Sequence, residues 1–250
     1  MSTAFSFTQT KNNAAVPFSL PASPQRVLFM RHPETEANVK RFFSGRKNVD
    51  LTEHGLEQRK HAVCALVAFK PDRIWTSPLS RCRDMAQLAA DQLGISIEVK
   101  DDLSEMDFGI LEGTRFADAH QMLEPLGLSF PWRCDEEGHS MPAPGAESYE
   151  EVRIRCRSIL NDLSQCAGKT VCISHGGYLR SMMAEIFGAP NGVAWNMHLA
   201  NVSSIFFTSN HGFDYKLGGF NLDPEEIIRR ATEPSFYDFR DIWGVTEGDR

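Results

Sequence analysis

Val27-Leu-Phe-Met30 is a run of four apolar residues, entered from a proline-containing loop and left through Arg31-His32. Its shortness and its punctuation fit a strand buried on both faces. Arg73-Ile-Trp-Thr76 and Lys169-Thr-Val-Cys-Ile-Ser174 repeat the pattern further along the chain. Between these runs the apolar spacing becomes helical, over Leu56 to Phe69, Leu79 to Leu93 and Tyr149 to Ala167. In the last of these, Val152, Cys156, Ile159, Leu160, Leu163 and Ala167 share one face. Ser148-x-x-Glu151 is a capping box at its start, and Ser77-Pro78 offers an N-cap followed by proline at the first helical position. Strand alternating with helix predicts the α/β class: a three-layer α/β/α sandwich with a mostly parallel sheet flanked by helices. Ser203 to Thr208 and Asp214 to Phe220, joined by Ser209-Asn-His-Gly212, predict a closing hairpin at an antiparallel edge.

The chain has 250 residues, 42% of them apolar and 24% charged, which is ordinary globular composition. We expect a flexible N-terminal arm over 1–24, a single α/β domain over 25–220 with a lid insertion at about 114–147, and a C-terminal extension over 221–250. Asp223-Pro224 opens a short helix in that extension. Phe236, Tyr237, Phe239 and Trp243 follow it, either packing back on the domain or forming the contact of a homodimer. With 26 Lys+Arg against 33 Asp+Glu the net charge is −7, so no global basic field exists for nucleic acid or an anionic membrane. No apolar run is long enough to span a bilayer, and the N-terminus lacks the features of a secretory signal. The six cysteines have no CxxC pair among them, which excludes zinc ribbons and thioredoxin-like sites. They read as reduced, mostly buried thiols of a cytoplasmic protein.

In an open α/β sheet, ligands gather at the carboxyl ends of the strands. The first strand end gives Arg31-His32, the second leads to Arg81 at a helix start, and the third gives His175-Gly176-Gly177. Guanidinium forks, helix N-termini and close-approaching glycine backbone all suit phosphate oxygens. Two histidines at the same edge add a nucleophile to this phosphoryl site. An imidazole at His32, with Arg31, Arg81 and, if protonated, His175 around it, has its charged form disfavoured and a neutral nitrogen free to attack phosphorus. The leaving alkoxide needs a proton donor, for which Glu105 is the candidate and Glu112 and Asp107 are rivals. His54, His61, His120, His139, His198 and His211 read as ordinary surface or core residues.

These residues stand in blocks that resemble a known family. Arg31-His-Pro-Glu-Thr-Glu-Ala-Asn38, Leu51-Thr-Glu-His-Gly55, Thr76-Ser-Pro-Leu-Ser-Arg81, Leu103-Ser-Glu105 with Phe108-Gly-Ile-Leu-Glu-Gly113, Pro144-Gly-Ala-Glu-Ser148 and Ser174-His-Gly-Gly177 resemble, in order, the signature blocks of the histidine phosphatase superfamily, the phosphoglycerate mutase-like proteins. The resemblance implies a phosphohistidine intermediate on His32, an oxygen clamp of Arg31, Asn38, Arg81 and His175, and Glu105 as proton donor, with neither metal nor organic cofactor. It therefore implies a metal-independent phosphomonoesterase acting on a small organic phosphate ester. Phosphoglycerate mutase-type phosphotransfer and a non-catalytic phosphoester- or phosphoprotein-binding module are the alternatives.

Several positions depart from the family pattern. Pro33 stands where glycine usually follows the nucleophile and removes a backbone N–H. Asp84 lies three residues after Arg81, so an Asp84–Arg81 pair is expected to compete with substrate. Asn48, Asp50 and Ala146 are further departures. Phe130, Trp132, Arg133, His139 and Met141 lie in the insertion, which is expected to cover the strand ends and to favour an ester with hydrophobic or ring character. Other chemistries lack their signatures. His32-x-Glu34 has no Pro-Cys-x-x-Cys to complete a zinc deaminase, and no P-loop, dinucleotide fingerprint or G-x-S-x-G elbow occurs.

Overall fold

The computed structural model describes residues 25–209 and 214–232. The expected arm over 1–24, the residues Asn210 to Phe213 of the hairpin turn and the aromatic tail after Thr232 lie outside them. The strands are β1 (Gln25–Arg31), β2 (Arg73–Thr76), β3 (Ile97–Val99), β4 (Gly168–Ser174), β5 (Ser204–Ser209) and β6 (Tyr215–Leu222). The helices are α1 (Glu36–Lys40), α2 (Glu53–Phe69), α3 (Ser80–Leu93), α4 (Ala119–Leu123), α5 (Tyr149–Ser164), α6 (Gly176–Ile186) and α7 (Pro224–Thr232). One six-stranded sheet runs in the order β3-β2-β4-β1-β5-β6. The first four of these positions pair in parallel, while β5 runs antiparallel to β1 and β6 antiparallel to β5. The sheet is therefore mostly parallel with an antiparallel hairpin at one edge.

Strand residues point alternately to the two faces, and the two cores follow that period. Val27, Phe29, Trp75, Cys172, Ile205 and Phe207 pack with α5 and α6 on one side. Leu28, Met30, Ile74, Val171, Ile173 and Phe206 pack with α2, α3 and α7 on the other. A continuous apolar run is what a strand covered on both faces requires, and the result is three layers. The capping box of α5 is formed in both directions, Ser148 Oγ accepting from Glu151 N and Glu151 accepting from Ser148 N.

The N-cap expected at Ser77-Pro78 is displaced. Helix α3 begins at Ser80, and its N-cap residue Leu79 has no side-chain cap. Ser77 is held instead by His175, and the free amide of Ser80 donates 2.9 Å to Oδ1 of Asn48 from a distant loop. One departure from the family pattern thus serves as the missing cap. The six cysteines are free, but only Cys82, Cys156 and Cys172 are buried; Cys64 and Cys134 are exposed. Among the described residues no helix is long and apolar enough to cross a membrane.

Candidate active site

Strand β1 ends at Arg31, and the next residue, His32, donates its backbone N–H to Ser174 O at 3.0 Å, locking the ends of β1 and β4 side by side. The His32 ring is buried, with Nδ1 2.7 Å from the carbonyl oxygen of Pro33. A carbonyl only accepts, so Nδ1 carries the proton and Nε2 carries the lone pair. Burial first, then the guanidinium groups of Arg81 and Arg31, holds the imidazole well below its usual pKa. The ring is neutral at neutral pH.

His175 lies directly against it, ring centroids 5.2 Å apart, and is fully buried. Arg81 Nε donates to its Nδ1 at 3.1 Å, which places the His175 proton on Nε2, 2.7 Å from Ser77 Oγ. Burial and then Arg81 keep this ring neutral too, so it is not the protonated neighbour the sequence allowed. Arg81 also donates to the carbonyls of Lys47 and Gly45 at 2.8 and 2.9 Å. All three of its nitrogens are therefore tied to the protein. The expected Asp84–Arg81 pair is not formed: Asp84 lies exposed beside Arg83, 3.5 Å away, and Arg81 points into the site.

Glu105 follows the short helical turn Asp101–Leu103. Its carboxylate accepts from Gly177 N at 3.1 Å, Tyr178 N at 2.9 Å and its neighbour Met106 N at 2.9 Å. It thus sits on the N-terminal turn of α6, where unpaired amides and the helix dipole favour an acceptor. Glycine makes this contact possible, because a Cβ on Gly177 would lie 2.7 Å from Glu105 Oε1. Gly109 has a similar necessity: at φ +55 it lets the loop after Glu105 press against the backbone of Pro144 to Ala146. The rivals are occupied elsewhere. Glu112 accepts from Arg46 N, and Asp107 accepts from Gly109 N.

A cavity of about 830 Å³ opens over these strand ends. Arg31, His32, Asn38 and Glu105 line it together with Gly176, Gly177, Arg180 and Asn201. His175 packs against the His32 ring, and Arg81 donates to His175. Asn38 has two duties. Its Oδ1 accepts from Thr35 N and Asn201 Nδ2, closing the first turn of α1, so its Nδ2 donors remain for the cavity.

The histidine phosphatase superfamily (branch 1) profile matches residues 27–217, spanning every element that builds this cavity. The chain belongs to the histidine phosphatase superfamily. A Hydrogenobacter thermophilus protein provisionally named phosphoserine phosphatase 2 is 32% identical over 178 residues, 71% of this chain and 86% of that one. The 2,3-bisphosphoglycerate-dependent phosphoglycerate mutase of Sinorhizobium fredii is 31% identical over 70% of this chain and 85% of its own. Among solved structures, mycobacterial glucosyl-3-phosphoglycerate phosphatase in complex with VO3 superposes with a TM-score of 0.68 at 25% identity, covering 79% of this chain and 99% of that one. Membership with phosphatase-named relatives supports a phosphoric monoester hydrolase.

In this histidine phosphatase the insertion supplies one wall of the cavity through Phe116, Ala119, His120, Glu124, Leu128, Phe130 and Arg133. Phe130 is its centre, with ring centroids 4.8 Å from Phe43, 5.6 Å from Phe108 and 4.9 Å from Trp195. Trp132 is buried behind Phe130 and donates Nε1 to Glu147 O, while His139 and Met141 lie off the cavity. Sequence reading missed Phe43, Phe108, Arg180, Trp195 and Asn201. Of these, Phe108 stood in a signature block without being placed on the cavity, and Arg180 carried a helical signal: it lies one turn beyond His175-Gly176 and so on the same side of α6.

Proposed function

We propose that the protein hydrolyses a small organic phosphate monoester through a phosphohistidine on His32. Nε2 of His32 attacks phosphorus, the P–O bond to the alcohol breaks, and Glu105 gives its proton to the departing oxygen. Water then attacks the phosphohistidine and returns a proton to Glu105, releasing phosphate and free imidazole. Arg31, Asn38, Arg81 and His175 surround the phosphoryl oxygens, and the positive field comes from the two guanidinium groups because His175 is neutral. Nothing in this sequence of steps calls for a metal or an organic cofactor. The observation that carries the reading is the neutral, Nδ1-protonated His32 sharing one cavity with Glu105.

Hydrolysis is favoured over phosphotransfer by the wall opposite the phosphoryl site, which is built from Phe43, Phe108, Phe116, Phe130 and Trp195. Such a lining suits an alcohol with an apolar or ring-shaped body, rather than the small, highly charged acceptor of a mutase. The six free thiols agree with a cytoplasmic setting.

The test is hydrolysis of phenyl phosphate with chelator present, comparing wild type with His32→Ala. Chelator-resistant turnover abolished by the substitution is the expected result, together with an acid-labile phosphoryl label in the wild type. Turnover that survives His32→Ala overturns the nucleophile. A label that transfers to a phosphoglycerate instead of water points to the mutase, and saturable phosphate binding with no label points to a binding module.

A further inference from the structure

Two guanidinium groups flank Gly176 at the start of α6. A Cβ built there would lie 3.3 Å from Arg31 Nε and 3.3 Å from Arg180 Nη1. Both arginines are tethered by one nitrogen to the same extended segment: Arg31 Nη1 donates to Leu199 O, and Arg180 Nε donates to Met197 O at 2.8 Å. The Arg180 guanidinium is further fixed by lying 5.3 Å from the ring centre of Trp195. Arg31 Nε is buried with no hydrogen-bond partner, and the Arg180 fork is bonded through Nε while its Nη groups, within the field of Glu105, remain available to the cavity. Both side chains line the cavity beside His32.

A buried guanidinium donor without an acceptor, as at Arg31 Nε, is costly unless a ligand supplies one, and the half-buried Arg180 fork faces the same cavity. Arg81 spends three of its five N–H donors on His175, Lys47 and Gly45, whereas the one bond of Arg180 to Met197 O is from Nε, which leaves Arg180 more donors to offer the cavity. We infer that Arg180 is a phosphoryl-contacting residue, pairing with Arg31 across Gly176 to hold non-bridging phosphate oxygens. This rests on the phosphomonoesterase reading and adds to it the residue that completes its anion site. A Cβ at 176 would press on both guanidinium groups, each of which would have to give by a few tenths of an ångström. Arg31, Arg81 and Arg180 facing the single carboxyl of Glu105 leave a surplus of positive charge, which a phosphoryl dianion matches.

Calorimetric titration with inorganic phosphate, on wild type, Arg180→Met and Arg180→Lys, reads this contact without requiring turnover. Losing charge-assisted hydrogen bonds of this kind weakens phosphate binding roughly ten- to hundredfold in Arg180→Met. KM for phenyl phosphate and for alkyl phosphates rises by a similar factor, whatever the alcohol. Arg180→Lys keeps the charge but not the fork and recovers part of the affinity. Phosphate affinity within twofold of wild type in a folded Arg180→Met overturns the inference, leaving Arg180 a tether between α6 and Trp195. An effect confined to one ester and absent for free phosphate also overturns it, because the contact is then to the alcohol. Should Arg180→Met fail to melt cooperatively, Arg180→Lys decides: a loss of threefold or more supports the contact, and wild-type affinity overturns it. Wild type that neither binds phosphate nor hydrolyses any ester overturns the parent reading as well.

Discussion

The carbonyl oxygen of Pro33 accepts the Nδ1 proton of His32 at 2.7 Å. Proline at this position removes an amide donor but keeps the carbonyl that fixes the tautomer, and its ring holds φ where that carbonyl points back at the imidazole. Pro33→Gly is therefore expected to leave kcat within about threefold. The larger effect is on stability, roughly 1 kcal/mol lost because the unfolded chain gains freedom. Urea unfolding beside phenyl phosphate kinetics checks both; a hundredfold fall in kcat without unfolding would refute this account of Pro33.

Glu105→Gln separates proton donation from structure. The amide oxygen of glutamine can still accept from Tyr178 N and Met106 N, which both donate to Oε1, and only the bond from Gly177 N to Oε2 is lost, so the loop stays docked on α6. Turnover of an alkyl phosphate is expected to fall roughly 10²- to 10⁴-fold. A 4-nitrophenyl ester, whose leaving group departs without a proton, loses far less. Equal losses on the two esters would remove Glu105 from the acid role.

Arg155 fixes the chain on both sides of Glu105. Its Nη1 donates to the carbonyls of Asp102 and Ser104 at 2.8 and 3.0 Å. Its Nε and Nη2 grip Glu147, each at 2.9 Å, and Glu147 in turn accepts from Asp107 N at 2.8 Å. Arg155→Met strands these partners, at roughly 2–4 kcal/mol for a largely buried pair. Because Glu105 loses its placement while His32 does not, kcat for alkyl esters should fall more than kcat for the nitrophenyl ester. Arg155→Lys recovers stability more than turnover, since one ammonium cannot serve both sides. The ratio of the two ester rates across the variants measures the positioning.

Much of this arrangement was legible beforehand. Short apolar runs such as Val27 to Met30 and Ile173 report burial on both faces, and the residues after them fall at one sheet edge by topology alone, which is why His32, Arg31 and His175 were found. Glu105 needed the family resemblance, because an acidic loop residue carries no periodic signal. The aromatic wall was only half visible. Phe130 could be suspected from the insertion, but Phe43, Phe108 and Trp195 come from three separate segments that meet only in the fold. Asp84 failed because helical spacing places side chains near each other without saying which way an arginine turns; Arg81 turns inward to His175 and two carbonyls.

Two buried neutral histidines make the fold acid-sensitive. Burial and the arginines lower the folded pKa of His32 and of His175, while unfolded imidazoles take up protons near 6.5. Below that pH the unfolded state binds more protons, so stability is fully present above about 6.5 and is lost as pH falls toward the folded values. Each ring removes up to roughly 1.4 kcal/mol per pH unit in that window. Urea midpoints at pH 7, 6 and 5 should decline, with a shallower decline in His32→Asn. The same lowering keeps the nucleophile unprotonated, so kcat/KM should show no loss from imidazole protonation near pH 6.5.

Phe130 tests what the cavity is shaped to hold. Its ring touches Phe43, Phe108 and Trp195 edge-on, so it organises the wall rather than merely contributing area. Phe130→Ala should raise KM for phenyl or naphthyl phosphate by about tenfold, the cost of roughly 1.4 kcal/mol of lost aromatic contact. Glycerol phosphate has no ring to place there and should change little, and inhibition by inorganic phosphate should stay near wild type because Arg31 and His32 are untouched. The contrast between ring-bearing and ring-free esters is the measurement that matters. A wild type that prefers small, highly charged sugar phosphates, with Phe130→Ala affecting all esters alike, would mean that the aromatic wall closes the site instead of recognising the alcohol.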